Sequence, residues 1–318
     1  MRAVTIVDGA LEWREHPDPE PAAGELLVAV RAAGLNGADM MQRRGLYPAP
    51  PGAPADIPGL ELAGEVVAIG RDVTHFAPGD RVMAVVAGGG QAELAVVHER
   101  HALAIPEGLG WPQAGGFPEV FATAHDALFI QCGLAMGERV LVHGAAGGVG
   151  IAGVQLAARA GASVVATVRA SDLRDAVATI GRSCGDVEVV APDAFGDRGP
   201  FDVVLELVGA PNIAANIDAL AIGGRISVIG VGGGASTEMN LLALMGKRAR
   251  IQGSTLRARS LEEKAAVARA LERSVLPLLQ RGELQVPLAA EVPMADAESA
   301  YERFAAGGKL GKIVLMSS

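Results

Sequence analysis

The stretch Arg139–Gly150, RVLVHGAAGGVG, limits what this chain can fold into more than any other. Residues 139–143 form a short β-branched and aliphatic run suited to a strand. A glycine-rich turn follows, and then GIAGVQLAARAG, which has the length and composition of a helix closed by Gly161. A strand, a glycine turn and a helix in that order make the first unit of a dinucleotide-binding βαβ fold. A pyrophosphate must approach the backbone N–H groups at the helix N-terminus, where unpaired donors and the macrodipole favour an anion. Side chains would block that approach, and the loop is built from Gly147, Gly148 and Gly150 with small Ala145 and Ala146. Ala146, Gly147, Gly148 and Val149 are therefore expected to bind the cofactor. Ala145 stands where G-x-G-x-x-G has its first glycine, so the match rests on placement: a strand before it, a helix after it, and a second strand at Ser163–Thr167.

At 318 residues the chain exceeds a typical single core, and two domains are expected. Half of its residues are hydrophobic, enough for two cores. The net charge of −9 and the lack of a basic run argue against nucleic acid or an anionic membrane as partner. Cys132 and Cys184 are the only cysteines, too few for a disulfide framework or a cysteine zinc site. The first residues, MRAVTIVDGALEWREH, lack the apolar segment of a signal peptide, and no apolar run reaches the roughly 18–20 residues of a membrane helix. A soluble, cytoplasmic protein is expected.

Residues 1–115 read as mostly β, with strands at Ala3–Val7, Leu26–Ala33, Leu62–Ile69, Arg81–Val86 and Ala92–Val97. Short strands with glycine corners suggest a small, partly open barrel. Asn36 can cap a helix over Gly37–Arg44, with Asp39 in its first turn. The segment YPAPPGAPADIP (Tyr47–Pro58) is too rich in proline for regular structure and reads as a semi-rigid surface loop. Trp111–Gly133 reads as helical. From Arg139 strands alternate with helices: strands at 139–143, 163–168, 187–190, 201–207 and 225–230, helices at 148–160, 172–180 and 211–221, the last stopped by Gly223-Gly224. Such alternation implies a parallel sheet covered on both faces, with its ligand crevice at the C-terminal strand ends. Ser260 then caps a long helix, SLEEKAAVARALERSVLPLLQRG, and a strand (Val286–Val292), a helix (Asp296–Ala306) and a last strand (Lys312–Met316) follow.

The second strand of the nucleotide unit ends in Ala166-Thr167-Val168 and is followed by Arg169. A carboxylate there would bind the ribose hydroxyls of NAD, whereas an arginine can pair with the 2′-phosphate of NADP. Arg169, with Arg174 as a second candidate, favours NADPH.

Taken together, LNGADMMQRRGLYPAPPGAP, IPGLELAGEVVAIG, FAPGDRVMA, GGGQAEL, IPEGL, VLVHGAAGGVG, FDVVLELVG, GGRISVIG and GKIVL resemble the medium-chain dehydrogenase/reductase superfamily along nearly the whole chain. The similarity is greatest to its zinc-independent quinone oxidoreductases, in the branch that contains the p53-inducible enzyme. That resemblance implies an α/β fold: an N-terminal GroES-like β-rich domain completed by the C-terminal tail, with a Rossmann dinucleotide-binding domain inserted. The expected boundaries are residues 1–116, 117–257 and 258–318. Zinc-dependent relatives carry a cysteine ligand where this chain has Asn36 and a histidine where it has Leu60, so that metal site is not expected to form. The resemblance implies that Asn36, Asp39 and Tyr47 face the nicotinamide and substrate, although Asn36 and Asp39 read equally well as helix-start residues. It implies Thr123 near the nicotinamide amide and Glu61 as a structural partner for a nearby cation. Val208, Gly230, Leu256 and Lys312 complete the expected cofactor contacts. Relatives often have a lysine where this chain has Leu173 and a tyrosine near Val190, both of which help hold the 2′-phosphate; their absence moves that burden to Arg169.

The function so implied is NADPH-dependent hydride transfer to a quinone or a conjugated enone, with Tyr47 or water hydrogen-bonding the substrate oxygen and no strong general acid in view. An enoyl-thioester reductase and a non-catalytic NADPH-binding protein are the alternatives. A homodimer is expected through Ser236–Ile251, where Leu241, Leu242, Leu244 and Met245 precede a strand suited to a sheet edge.

Overall fold

Strand pairing divides the chain between two large sheets and a separate two-stranded hairpin. The computed structural model describes residues 1–317. In chain order, its first part holds β1 (Arg2–Val7), β2 (Ala10–Glu15), β3 (Glu25–Gly34), α1 (Gly37–Arg43), β4 (Glu61–Ile69), β5 (Arg81–Val85), β6 (Leu94–His98) and β7 (Ala102–Ala104). Then come α2 (Trp111–Gly115), α3 (Pro118–His125) with a wider helical turn to Gln131, β8 (Arg139–Val142), α4 (Gly148–Arg159), β9 (Ser163–Thr167), α5 (Arg174–Arg182), β10 (Val187–Val190), β11 (Phe201–Glu206), α6 (Ile213–Ala219) and β12 (Leu220–Val228). The chain continues with α7 (Leu241–Lys247), β13 (Arg250–Gly253), α8 (Leu261–Ser274), α9 (Leu276–Gln280), β14 (Leu288–Pro293), α10 (Ala297–Ala306) and β15 (Lys312–Met316).

The second sheet is parallel, in the order β10-β9-β8-β11-β12-β13. Its first strand in the chain, β8, lies centrally, and the chain runs outward one way through β9 and β10 and the other way through β11 to β13. This is the doubly wound order, and it opens a crevice between β8 and β11 beyond their C-terminal ends. The helix α4 is apolar on nearly every face, because it lies between the sheet and α3. Its glycines permit that closeness: a methyl on Gly150 would stand 2.4 Å from the Gly144 carbonyl oxygen, and one on Gly153 2.6 Å from Leu205.

The other sheet runs β14-β15-β3-β4-β5-β7, with β6 also paired to β3. The last strand, β15, pairs antiparallel with β3, so the tail closes the sheet that the first residues begin. Among the described residues no helix is long and apolar enough to cross a membrane.

Several elements depart from the sequence expectations. β2 was not expected; it folds back on β1 through Asp8 (φ 48°) and Gly9 (φ 83°), an Asp-Gly hairpin turn. Gly223-Gly224 do not cap a helix. α6 stops at Ala219, and both glycines lie within β12, where the pairing with β11 jumps from Phe201↔Leu220 to Val203↔Arg225. The long helix after Ser260 divides at Val275, since Pro277 has no N–H to continue the hydrogen-bond ladder.

Candidate active site

The glycine loop begins where β8 ends. Gly144 takes φ 61°, a left-handed turn that a side chain would strain, and Ala145 N–H bonds to the Thr167 carbonyl at 3.0 Å. The loop is thereby pinned to β9. α4 opens at Gly147 with no side chain capping it, which leaves its first N–H groups for an anion. A dinucleotide pyrophosphate fits this backbone cradle.

Two further segments wall the loop. Gly311 N–H donates to the Ala146 carbonyl at 2.8 Å, bringing the last strand against it. A methyl on Gly148 would stand 2.8 Å from both Val120 of α3 and the Lys312 stem. On the crevice side, Glu206 accepts the N–H groups of Val208 (2.6 Å) and Gly209 (2.8 Å), which shapes the turn carrying Val208. Buried Asn216 links Glu206 to His143, whose other ring nitrogen meets Thr167. Gly230 crosses the end of β11 so closely that a Cβ would lie 2.3 Å from the Leu207 carbonyl oxygen. Leu256 lines a small apolar cavity with Val85, Leu103, Pro118, Ala122 and Lys264.

Beneath the loop lies a buried ionic cluster. Lys312 Nζ, 3% exposed, lies 2.6 Å from Glu61 Oε1, which is fully buried. The same ammonium donates to the Leu35 carbonyl (2.8 Å) and Asn36 Oδ1 (2.7 Å), while Asn36 Nδ2 donates to Glu61 at 2.9 Å. Glu61 is thus paired with a cation, and that cation is Lys312, whose ammonium is committed to these three acceptors rather than pointed at the loop.

Asn36 is not a side-chain cap for α1; its amide bridges Lys312 and Glu61. Asp39 is held in place by backbone: its carboxylate accepts Asn36 N–H at 2.8 Å and Gly59 N–H at 3.1 Å. Burial pushes its pKa up to about 6 against the opposing pull of those hydrogen bonds and of Lys312. The donor set does not suit zinc. Asn36 offers an amide already hydrogen-bonded to Glu61 and Lys312, and Leu60 is apolar, so neither supplies a thiolate or imidazole.

Tyr47 is half-buried with its ring under the Arg257 guanidinium, 5.2 Å from the ring centroid. Arg257, itself 3% exposed, bonds the carbonyls of Tyr47 (2.8 Å) and Ala87 (2.7 Å) and Gln42 Oε1 of α1 (2.7 Å). It clamps the start of the proline loop to the rest of the chain. Sequence reading missed Arg257, because its role depends on carbonyls some 210 residues away. It missed Glu119 as well, whose place in the first turn of α3 resembles that of any helix-start acid. Glu119 N–H donates to Glu61 at 2.9 Å, and Thr123 Oγ1 lies 3.5 Å from Glu119 Oε1.

Arg169 and Arg174 stand apart from this cluster, at the far end of β9. Arg174 Nε donates to the Val168 carbonyl at 3.0 Å. Arg169 is exposed, makes no ion pair among the described residues, and passes 3.5 Å from where a Gly307 methyl would be. The expected residues therefore fall into two groups, a buried cluster with the loop and an exposed guanidinium at the next strand end. That separation suits an extended ligand.

Lys312→Met leaves the Glu61 carboxylate buried without its cation and is expected to lower the unfolding free energy by about 3–5 kcal/mol. Adding Glu61→Gln should recover much of that loss. Urea denaturation of the two single variants and the double variant checks this; additive losses would show that the pair is uncoupled.

Comparison with known proteins agrees with this architecture. Residues 22–131 match the alcohol dehydrogenase GroES-like domain and residues 148–272 the zinc-binding dehydrogenase family. The chain is 31% identical over 307 residues to quinone oxidoreductase from Rattus norvegicus, covering 94% of this chain and 91% of that protein. It is 39% identical over 208 residues, 65% of the chain, to polyketide synthase GfsB from Streptomyces halstedii, of which it spans only 4%. A mycobacterial protein solved in complex with NADPH superposes with a TM-score of 0.86 at 26% identity, covering 99% of this chain and 100% of that one. A GroES-like sheet, a doubly wound nucleotide sheet and a relative matched over nearly its whole length place the chain in the medium-chain dehydrogenase/reductase superfamily of oxidoreductases, within its zinc-independent quinone oxidoreductase family.

Proposed function

We propose that this chain is a zinc-independent, NADPH-dependent reductase of quinones or conjugated enones. The observation that carries the reading is the Lys312–Glu61–Asn36 cluster directly against the glycine loop. At Asn36 it presents an amide already bonded to Lys312 and Glu61 in place of a thiolate ligand for zinc. A site without that Lewis acid suits acceptors that are electron-poor already. When bound, a reduced nicotinamide supplies the hydride. The protein's own residues position and polarise: the α4 N-terminus takes the pyrophosphate, Thr123 faces the carboxamide, and Tyr47 hydrogen-bonds the substrate oxygen as negative charge develops there. Arg169 supports NADPH over NADH because it is exposed, makes no ion pair among the described residues and follows a strand that ends without a carboxylate.

The polyketide synthase relative favours a second reading, reduction of an enoyl thioester. Loss of reduced-nicotinamide absorbance against ortho-quinones, para-quinones, enones and an enoyl thioester separates the two. Quinone or enone turnover supports the first reading, and turnover confined to the thioester supports the second. Arg169→Ala is expected to raise KM for NADPH at least tenfold while changing KM for NADH less than threefold, about what loss of one charge-assisted phosphate contact costs. An equal effect on both cofactors removes the preference for NADPH.

We also propose a homodimer. Leu241, Leu242 and Met245 of α7 are 62%, 77% and 68% exposed, and β13 beside them is the free edge of its sheet. An apolar ridge next to an unpaired edge is covered economically by a second copy about a two-fold axis. Light scattering at micromolar concentration should give twice the chain mass, and Leu242→Glu should return it to one.

A further inference from the structure

Glu119 has the one carboxyl in the cleft that the preceding roles leave unused. Its Oε2 is enclosed and has no hydrogen-bond partner in the structure, whereas Oε1 faces Thr123 Oγ1 at 3.5 Å. A buried polar atom without a partner calls for one, and an absent ligand is a usual answer. Its neighbours in sequence define where it stands. Val120 packs against Gly148 of the glycine loop, while Pro118 lines the apolar cavity with Leu256. Carried on α3 between those two residues, Glu119 stands beside the Lys312–Glu61 cluster, to which its N–H bonds.

Resting on the reductase reading above, we infer that Glu119 is the internal proton donor of this cleft, giving the proton of its Oε2 to the oxygen of the reduced substrate. The step balances simply. The acceptor gains a hydride, two electrons and a proton, from the reduced nicotinamide, and its oxygen becomes anionic. The Glu119 O–H bond breaks as the substrate O–H bond forms, Glu119 becomes a carboxylate, and water returns its proton afterwards. The charged and titratable groups around it suit both states. Asp39 from α1 and Glu61 from β4 oppose a further negative charge, while Lys312 from β15, Arg257 and Lys264 from α8 can stabilise the anion once formed; Tyr47 lies within reach of its field. Burial, reinforced by Glu61, raises its pKa to about 8, so the carboxyl is protonated at neutral pH. A general acid must start protonated, so the rate should fall as pH rises through that value.

Glu119→Gln tests this, because the amide copies the neutral carboxyl in shape but cannot release a proton. Expected results are a loss of kcat of about 10²-fold, disappearance of the alkaline fall in rate, and NADPH affinity by fluorescence titration within twofold of the parent. Glu119→Asp, which keeps an acid, should recover part of the rate. Independently of turnover, infrared spectra of the parent protein should show a protonated-carboxyl band that titrates near pH 8 and is missing from the Gln variant. Parental kcat with an unchanged pH profile in Glu119→Gln, or no such band, overturns the assignment. A parent that leaves NADPH unoxidised in the presence of every quinone, enone and enoyl thioester overturns the reductase reading, and this inference with it.

Discussion

The buried contact between Lys312 and Glu61 holds this molecule's working parts in one place. An ammonium and a carboxylate removed from water cost several kcal/mol each in lost hydration, and only close approach with further hydrogen bonds offsets that. Here both conditions are met: 2.6 Å between the charges, with Leu35 and Asn36 taking the remaining ammonium protons. The pair joins the last strand to β4 and to the turn before α1. Because Gly311 N–H bonds the glycine loop, it also positions the nucleotide cradle relative to the barrel-like sheet. Replacing it with apolar residues of equal volume would stabilise many proteins; its retention here goes with a place at the heart of the cleft.

Around that pair the cleft carries more acid than base close at hand. Asp39, Glu61 and Glu119 share Lys312, with Arg257 and Lys264 somewhat further off. Electrostatics resolves the surplus by leaving one carboxyl protonated, and hydrogen bonding decides which. Asp39 has two backbone N–H donors to hold its charge; Glu119 has a single long contact from a hydroxyl. The two pKa values, about 6 and about 8, follow that difference in hydrogen bonding. Arg257 performs a separate task in the same space, tying the proline loop to α1 and to Ala87, so that Tyr47 sits at the start of a fixed loop.

Much of the fold was legible. Glycine placement between a strand and a helix identified the nucleotide unit, strand–helix alternation identified the parallel sheet, and the last strand agreed to the residue, Lys312–Met316. The misses share a cause. β2 is largely exposed and carries little apolar alternation, so only its Asp-Gly turn marked it. Gly223-Gly224 resembled a helix stop because glycine ends helices and bulges strands alike, and choosing between them requires the partner strand. Asn36 looked like a cap for the same reason: a polar side chain before a helix has a local use, and the distant lysine that took it over lies 276 residues away.

By itself, the sequence determined the alternation that builds the parallel sheet, the bare backbone of Gly147–Gly148 and the absence of zinc-ligating side chains at Asn36 and Leu60, because periodicity, side-chain size and donor chemistry are properties of local residues. Only the tertiary structure decided which cation meets Glu61, which carboxyl oxygen is left without a partner among the described residues, and which arginine grips the Tyr47 loop. Those outcomes depend on distances between segments far apart in the chain. The energy of a charge is set by what surrounds it after folding, and no residue carries that information alone.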